Sequence, residues 1–476
     1  MRHERLLPRS TPSAEGVDAA GLSALLQGIE EQGIECHSLM VVRHGHVIAE
    51  GWWAPYSADR PHLLYSLTKS IVAVAIGLAV DDGLLALDDR VVDILPDHVP
   101  EPMPAPAGEL TVHHLLSMST GHGDDVLEAA WTLEPYDLVR GFLRIAPDAP
   151  VGSRHAYNNP TTFVLARIVE RVTGRGLPDL LDDRVFGPMG VSGVDWDRVR
   201  GGATFGFHGA YLTTEAVAAF GQLLLNGGRW GDRQLVSRRW VETATRRQIE
   251  TLQFEDGTRG LDWLEGYGYQ FWRSRHGYRA DGAMGQLCLV LPEADTVVAV
   301  TAATTEVQAL LTLIWDCLLP SLDRPGTPHA DHALAERLRQ LTLPMLNGDH
   351  RPGLSAAGVL AVGPEASALP PGSSVSIEPC SGGWVLHIAT EGDTFEVAVG
   401  HAEWQESSPL GRPIVATGGW SGDVFRADLF VITTPSRVRV TIAPDQVTTT
   451  WNLTPLVGPN LIPQLRNPLI TRPDRS

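Results

Sequence analysis

The sequence predicts an α+β fold, with an antiparallel sheet flanked by helices in a large first unit and an all-β region after it. Three observations carry this expectation. Apolar residues recur at helical spacing through the first two thirds of the chain. Alternating strands separated by turn residues crowd residues 266–302, and beyond about residue 350 short alternating strands take over. The chain has 476 residues, more than one average domain. A Pro/His/Asp linker at residues 320–332 precedes the change of texture, so residues 1–345 are read as one unit and 346–476 as a second, all-β unit.

Taken in order, residues 11–34 hold an amphipathic helix closed by Gly33. Residues 37–53 alternate on either side of Arg43-His44-Gly45-His46, a β-hairpin in which His44 and His46 read as exposed turn residues rather than a metal pair. An apolar, Ala-rich helix covers residues 70–80, with Gly77 its one interruption and Asp81-Asp82-Gly83 its stop. After a Pro-rich loop, Thr111 caps a short helix. His113, His114, His122, Asp124 and Asp125 lack an HExxH or paired-cysteine pattern and read as helix surface and loop.

Tyr157-Asn158-Asn159 lies in the loop before a helix over residues 161–173. A Gly-rich loop and a Thr-capped helix follow within residues 205–245. Four strands, 266–272, 277–282, 286–292 and 296–302, make the antiparallel sheet, and a helix over 307–318 closes the unit. A helix at 333–341 leads to strands at 384–388, 394–400, 423–433, 437–442 and 447–453, the pattern of a small β-barrel or sandwich.

Composition excludes several classes. The formal net charge of -19 supplies no basic face for nucleic acid. The N-terminal residues lack the apolar core of a signal peptide, and no apolar run is long enough to span a membrane, so a cytoplasmic protein is expected. Cys36, Cys288, Cys317 and Cys380 have no paired spacing and read as buried thiols in a reducing compartment. No metal or cofactor is implied, and the oligomeric state is left open.

One residue is singled out by scarcity: Lys69 is the only lysine among 37 Lys and Arg residues. Arginine stays charged, whereas a desolvated lysine can lose its proton and act as a base. Ser66 precedes Lys69 by three residues at a helix start, so hydroxyl and amine share a face. A buried amine can activate the serine, and the helix N-terminus favours an oxyanion. The alternative is a helix cap followed by a solvated lysine. In the loop before the later helix, Tyr157 could hold a phenolate or relay a proton, and Asn159 could steady the lysine. Trp131, Tyr267, Tyr269 and Trp272 read equally as pocket lining or as core.

Three segments in this order, Ser66-Leu-Thr-Lys69, Tyr157-Asn-Asn159 and Ala280-Asp-Gly-Ala-Met-Gly-Gln286, resemble the serine β-lactamase and penicillin-binding superfamily. The resemblance covers roughly residues 10–320 and is nearest the class C branch of esterases, amidases, D-peptidases and transacylases. It implies a class C β-lactamase-like sheet and helices with a mostly helical insertion at about 85–205. By it Ser66 is the nucleophile, Lys69 its base, Tyr157 the proton relay and Asn159 a polar support. The backbone N–H groups of Ser66 and Ala283 would form the oxyanion hole, with Gly282 and Asp281 beside the substrate. The β-type C-terminal region resembles the lipocalin-like domain appended to some members. At the third motif the family carries a cation that helps bind a substrate carboxylate. Here Ala280-Asp281-Gly282 supplies none, which disfavours β-lactams and D-Ala-D-Ala peptides and favours neutral or cationic esters and amides.

The function so implied is a serine acyl hydrolase, an esterase or amidase forming an acyl-enzyme at Ser66, with a small-molecule ester or amide as partner. Two alternatives stay open: an acyltransferase that passes the acyl group to an amine acceptor, as in natural-product biosynthesis, and a ligand-binding member without turnover.

Overall fold

The computed structural model describes residues 5–199, 202–252, 260–346, 348–351, 353–360, 367–466 and the backbone of 470–471. The chain divides into two compact units. One comprises residues up to Gly51 together with Leu64–Arg339, and the other Trp52–Leu63 together with Gln340–Thr471.

The sheet of the first unit contains β1 (Cys36–Arg43), β2 (His46–Trp52), β3 (Trp272–Arg273), β4 (Tyr278–Gly282), β5 (Gln286–Leu291) and β6 (Thr296–Ala302), in the spatial order β2-β1-β6-β5-β4-β3. The pairs β1 with β6, β6 with β5, β5 with β4 and β4 with β3 are antiparallel. Strands β1, β5 and β6 are buried along their whole length. Their near-continuous apolar runs follow from cover on both faces. Helix α1 (Ala19–Glu31) starts at an Asp18 cap that accepts from the Ala20 N–H, and turns off at Gly33 with φ 65°.

The Ala-rich run forms α2 (Leu67–Asp81), buried from Leu67 to Ala79. A Cβ on Gly77 would meet the Trp240 indole at 2.3 Å, so the one interruption of that run is where a tryptophan crosses the helix. Between α2 and α3 (Asn159–Thr173) the chain is mostly short helices. Helix α4 (Thr214–Leu225), capped by Thr213, lies on β1, β5 and β6.

The strand expected over residues 266–272 shrinks to Trp272–Arg273. Gly266 at φ 96° and Gln270 at φ 63° bend the chain away from extended geometry. Gln270 is buried at that bend. Its backbone carbonyl accepts from Ser70 Oγ, its Oε1 from Thr162 Oγ1 at 2.6 Å, and its Nε2 donates to the carbonyl of Leu116 at 2.9 Å. One residue, through its carbonyl and its side chain, thereby ties α2, α3 and the Thr111-capped helix together.

The second unit is a nine-stranded sheet. Neighbouring strands pair antiparallel, apart from a parallel bridge at Gly400 and Thr417, and a second parallel bridge, between Leu360 and Val447, brings the two ends of the sheet together. The sheet is barrel-like and nearly closed. Alternate side chains such as Trp384, Leu386, Ile388, Val397, Phe425, Leu429 and Val440 fill its inside. Strands Ser374–Cys380 and Ile414–Ser421 were not expected. The first contains Pro379 and the second Gly418-Gly419, residues that read as turn or breaker until neighbouring strands supply the ladder.

The reading of four buried thiols holds for Cys36 and Cys288, whose thiols burial pushes up to about 12. Cys380 is exposed and Cys317 half-buried. No helix among the described residues is long and apolar enough to cross a membrane.

Candidate active site

Ser66 is the N-cap residue of α2, yet its side chain makes no capping hydrogen bond. Its Oγ accepts instead from Lys69 Nζ at 2.9 Å. Lys69 is buried at 1% exposure, so the arrangement is not a capped helix with a solvated lysine. The ammonium donates to two further acceptors, Asn159 Oδ1 at 2.7 Å and the carbonyl of Phe207 at 2.9 Å.

Burial brings the Lys69 amine down to about 7, with the Asp125 carboxylate pulling the other way. In the neutral amine two N–H bonds remain for Asn159 and Phe207, and the lone pair is left facing the Ser66 hydroxyl. Those two acceptors therefore aim the base.

Asn159 opens α3 and is held from the outside. Its Nδ2 donates to Asp125 Oδ2 at 2.5 Å and its backbone N–H to Asp125 Oδ1 at 3.1 Å. The adjacent Asn158 accepts from the Val126 N–H at 3.1 Å, so the two loops are stitched twice. An anion on Nδ2 sets which end of the amide faces Lys69.

Tyr157 stacks on Trp272 with centroids 5.8 Å apart and planes at 12°, and lies near Tyr267. Its ring centroid is 4.8 Å from Lys69 Nζ, and the Ser66 hydroxyl acts on its phenol in the direction that favours ionisation. Burial raises the phenol far above its ordinary value, and Asp281 and Asp125 add to the effect. Of the two forms considered for Tyr157, burial favours the protonated phenol over the phenolate.

The third segment forms the β4–β5 hairpin. A Cβ on Gly282 would meet the Leu64 carbonyl at 2.1 Å, so glycine is what lets this strand run against the backbone two residues before Ser66. Ala283 sits in the turn, and Gln286 Nε2 braces it by donating to the carbonyls of Ala283 and Met284 at 3.2 Å and Ala302 at 2.7 Å. Asp281 is paired with Arg279, Nε to Oδ2 at 2.7 Å.

Ser66, Lys69, Tyr157 and Asn159 thus converge. Asp125 and the Phe207 carbonyl complete the group and were not foreseen. Asp125 had been grouped with histidines that the structure disperses: His113 bonds the Tyr269 hydroxyl, His114 belongs to the Thr111 cap, and His122 bonds Thr120. His208 follows Phe207 and is brought down to about 3 by burial and the Lys69 charge, so it stays neutral. Of the four aromatics singled out, Trp272 and Tyr267 join Tyr157, whereas Trp131 packs on Phe205 and Phe207 and Tyr269 on His113 and Trp240.

The fold and the family together define a class, the β-lactamase-like proteins, and several relatives of this chain are named as hydrolases or esterases. Residues 22–312 match the Beta-lactamase family, and the chain belongs to that family. Among its relatives is Esterase EstB of Burkholderia gladioli, 33% identical over 210 residues, which are 38% of this chain and 53% of the esterase. The chain thus spans about half the length of that relative. The 6-aminohexanoate-dimer hydrolase of Paenarthrobacter ureafaciens is 24% identical over 61% of this chain and 78% of its own. The solved structure of EstCE1, described as a hydrolase with promiscuous acyltransferase activity, shares the fold at TM-score 0.52 and 18% identity, over 63% of this chain and 97% of its own.

Proposed function

We propose that the chain is an esterase or amidase that forms an acyl-enzyme at Ser66. The observation that carries this reading is a buried lysine near neutral pKa, aimed at a serine hydroxyl by two other acceptors. In acylation the Ser66 Oγ bonds to the substrate carbonyl carbon and its proton passes to Lys69. The oxyanion is held by the backbone N–H groups of Ser66 and Ala283. Collapse breaks the bond to the leaving group, which takes a proton through Tyr157. Water then adds to the acyl carbon, gives its proton back through the same groups, and releases the acid and the Ser66 hydroxyl. Esterase EstB and the 6-aminohexanoate-dimer hydrolase, by name an esterase and a hydrolase of a dimer, support this class of reaction.

A second reading, transfer of the acyl group to an amine, draws on the packed aromatic cluster of Tyr157, Tyr267 and Trp272, since apolar surroundings disfavour water as the acceptor. The EstCE1 likeness is consistent with it in fold alone. Nitrophenol release from a short-chain p-nitrophenyl ester is measured for wild type and Ser66→Ala, with and without primary amines, with intact-mass detection of the adduct. Release lost in the variant and indifferent to amine supports the hydrolase. An acyl-enzyme that waits for amine and yields amide supports the transferase. Equal release by both proteins, with no adduct, overturns both readings.

A further inference from the structure

Arg279 and Asp281 are two residues apart on β4 and therefore share a face of the strand. Arg279 is fully buried. Its Nε donates to Asp281, its Nη1 to the carbonyls of Asp262 at 2.8 Å and Arg273 at 3.2 Å and to Ser274 Oγ. Its guanidinium carbon stands 4.4 Å from the Trp263 ring centroid and 5.9 Å from that of Trp272. Among the described residues, the buried Nη2 has no acceptor.

This pair belongs to the wall of the site. Trp272 is the register partner of Arg279 across β3 and β4, and it stacks on Tyr157, whose phenol feels the Ser66 hydroxyl. Gly282, next after Asp281, touches the backbone before the nucleophile. The charge of Asp281 is felt at the Tyr157 phenol. A cation is thus present beside the third motif, one residue upstream of Ala280, where one was sought, but it is spent on a carboxylate. Opposite charges at 2.7 Å leave little net field for a substrate anion.

We infer that Arg279 is a masked cation, and that Asp281 sets the charge preference of the site by masking it: uncharged acyl groups are accepted and carboxylate-bearing ones rejected. This rests on the acyl-enzyme reading above and specifies its substrate class. Removing the negative charge of the carboxylate leaves an uncompensated guanidinium beside the acyl site, attractive to a substrate carboxylate.

The test compares, within each protein, kcat/KM for p-nitrophenyl butyrate and for the mono-p-nitrophenyl ester of succinate. Wild type favours the butyrate. Asp281→Asn moves the ratio toward the succinate ester by about tenfold or more, and added salt shrinks the gain. The double variant Arg279→Gln/Asp281→Asn loses the gain. Arg279→Gln alone, which unmasks the acid instead, moves the ratio the opposite way, so the inference stays testable if Asp281→Asn fails to fold.

Calorimetric binding of benzoate and benzamide is repeated on a Ser66→Ala background. If wild type hydrolyses neither ester, the acyl-enzyme reading fails, yet benzoate gained by Asp281→Asn still upholds the masked cation. An unchanged charge preference in folded single variants, or a gain that survives in the double variant, overturns it.

Discussion

Asn159 Nδ2 donates to the Asp125 carboxylate at 2.5 Å, while the Oδ1 of the same amide takes a hydrogen bond from Lys69 at 2.7 Å. An exposed acid thus acts on a buried amine through one side chain. The Asp125 charge favours the protonated lysine, so its removal lowers the lysine pKa further. Asp125→Asn is expected to move the acid limb of the pH–rate profile to lower pH and to reduce kcat/KM by roughly tenfold through loss of amide orientation. A limb that stays in place, or moves up, would show that Asp125 acts only on loop structure.

Because Lys69 is the only lysine, protein labelled with ¹³C-lysine gives one side-chain signal. Its titration is expected near pH 7. The base works when neutral, so activity rises with pH through that value. The unfolded lysine titrates near ~10.4. Across the interval the unfolded chain binds more protons, so this group makes stability rise with pH from about 7 upward and level off above the unfolded value. A signal that titrates at the ordinary lysine value removes the base from the mechanism.

Tyr157→Phe keeps the stack on Trp272 and deletes the hydroxyl that the Ser66 hydroxyl acts on. The chemical step is expected to slow by roughly 10²–10⁴-fold with little change in KM. Stopped-flow burst amplitudes distinguish slow acylation from slow release, and an unaffected burst excludes the phenol as proton carrier to the leaving group.

Gly77→Ala sets helix propensity against packing. Alanine gains about 1 kcal/mol in an exposed helix interior. Here the added Cβ falls 2.3 Å from the Trp240 indole, and overpacking costs roughly 1–3 kcal/mol. Chemical denaturation is expected to show a net loss, partly restored by Trp240→Leu. A more stable single variant would mean that Trp240 moves aside at no cost.

Much of the first unit was legible because its signals are local. Three residues along one helix put Ser66 and Lys69 on the same face wherever that helix lies, and the scarcity of lysine marked the pair. Caps at Asp18, Thr111 and Thr213, the hairpin after Arg43 and the Val-rich strands are likewise settled within a few residues. Strand 414–421 was missed for the converse reason: Gly418-Gly419 weakens the local preference, and the paired neighbours override it.

Only the tertiary structure decided what surrounds the amine. The Phe207 carbonyl lies 138 residues from Lys69, and Asp125 lies 34 residues from the Asn159 it holds. Arg279 stood in plain sight on its strand, yet its burial against Trp263 and Trp272 depends on how a Gly266- and Gln270-bent loop returns to the sheet. Spacing along a helix fixes which side chains can meet, whereas desolvation and distant acceptors, which tune an amine or mask a cation, exist only once the loops have packed.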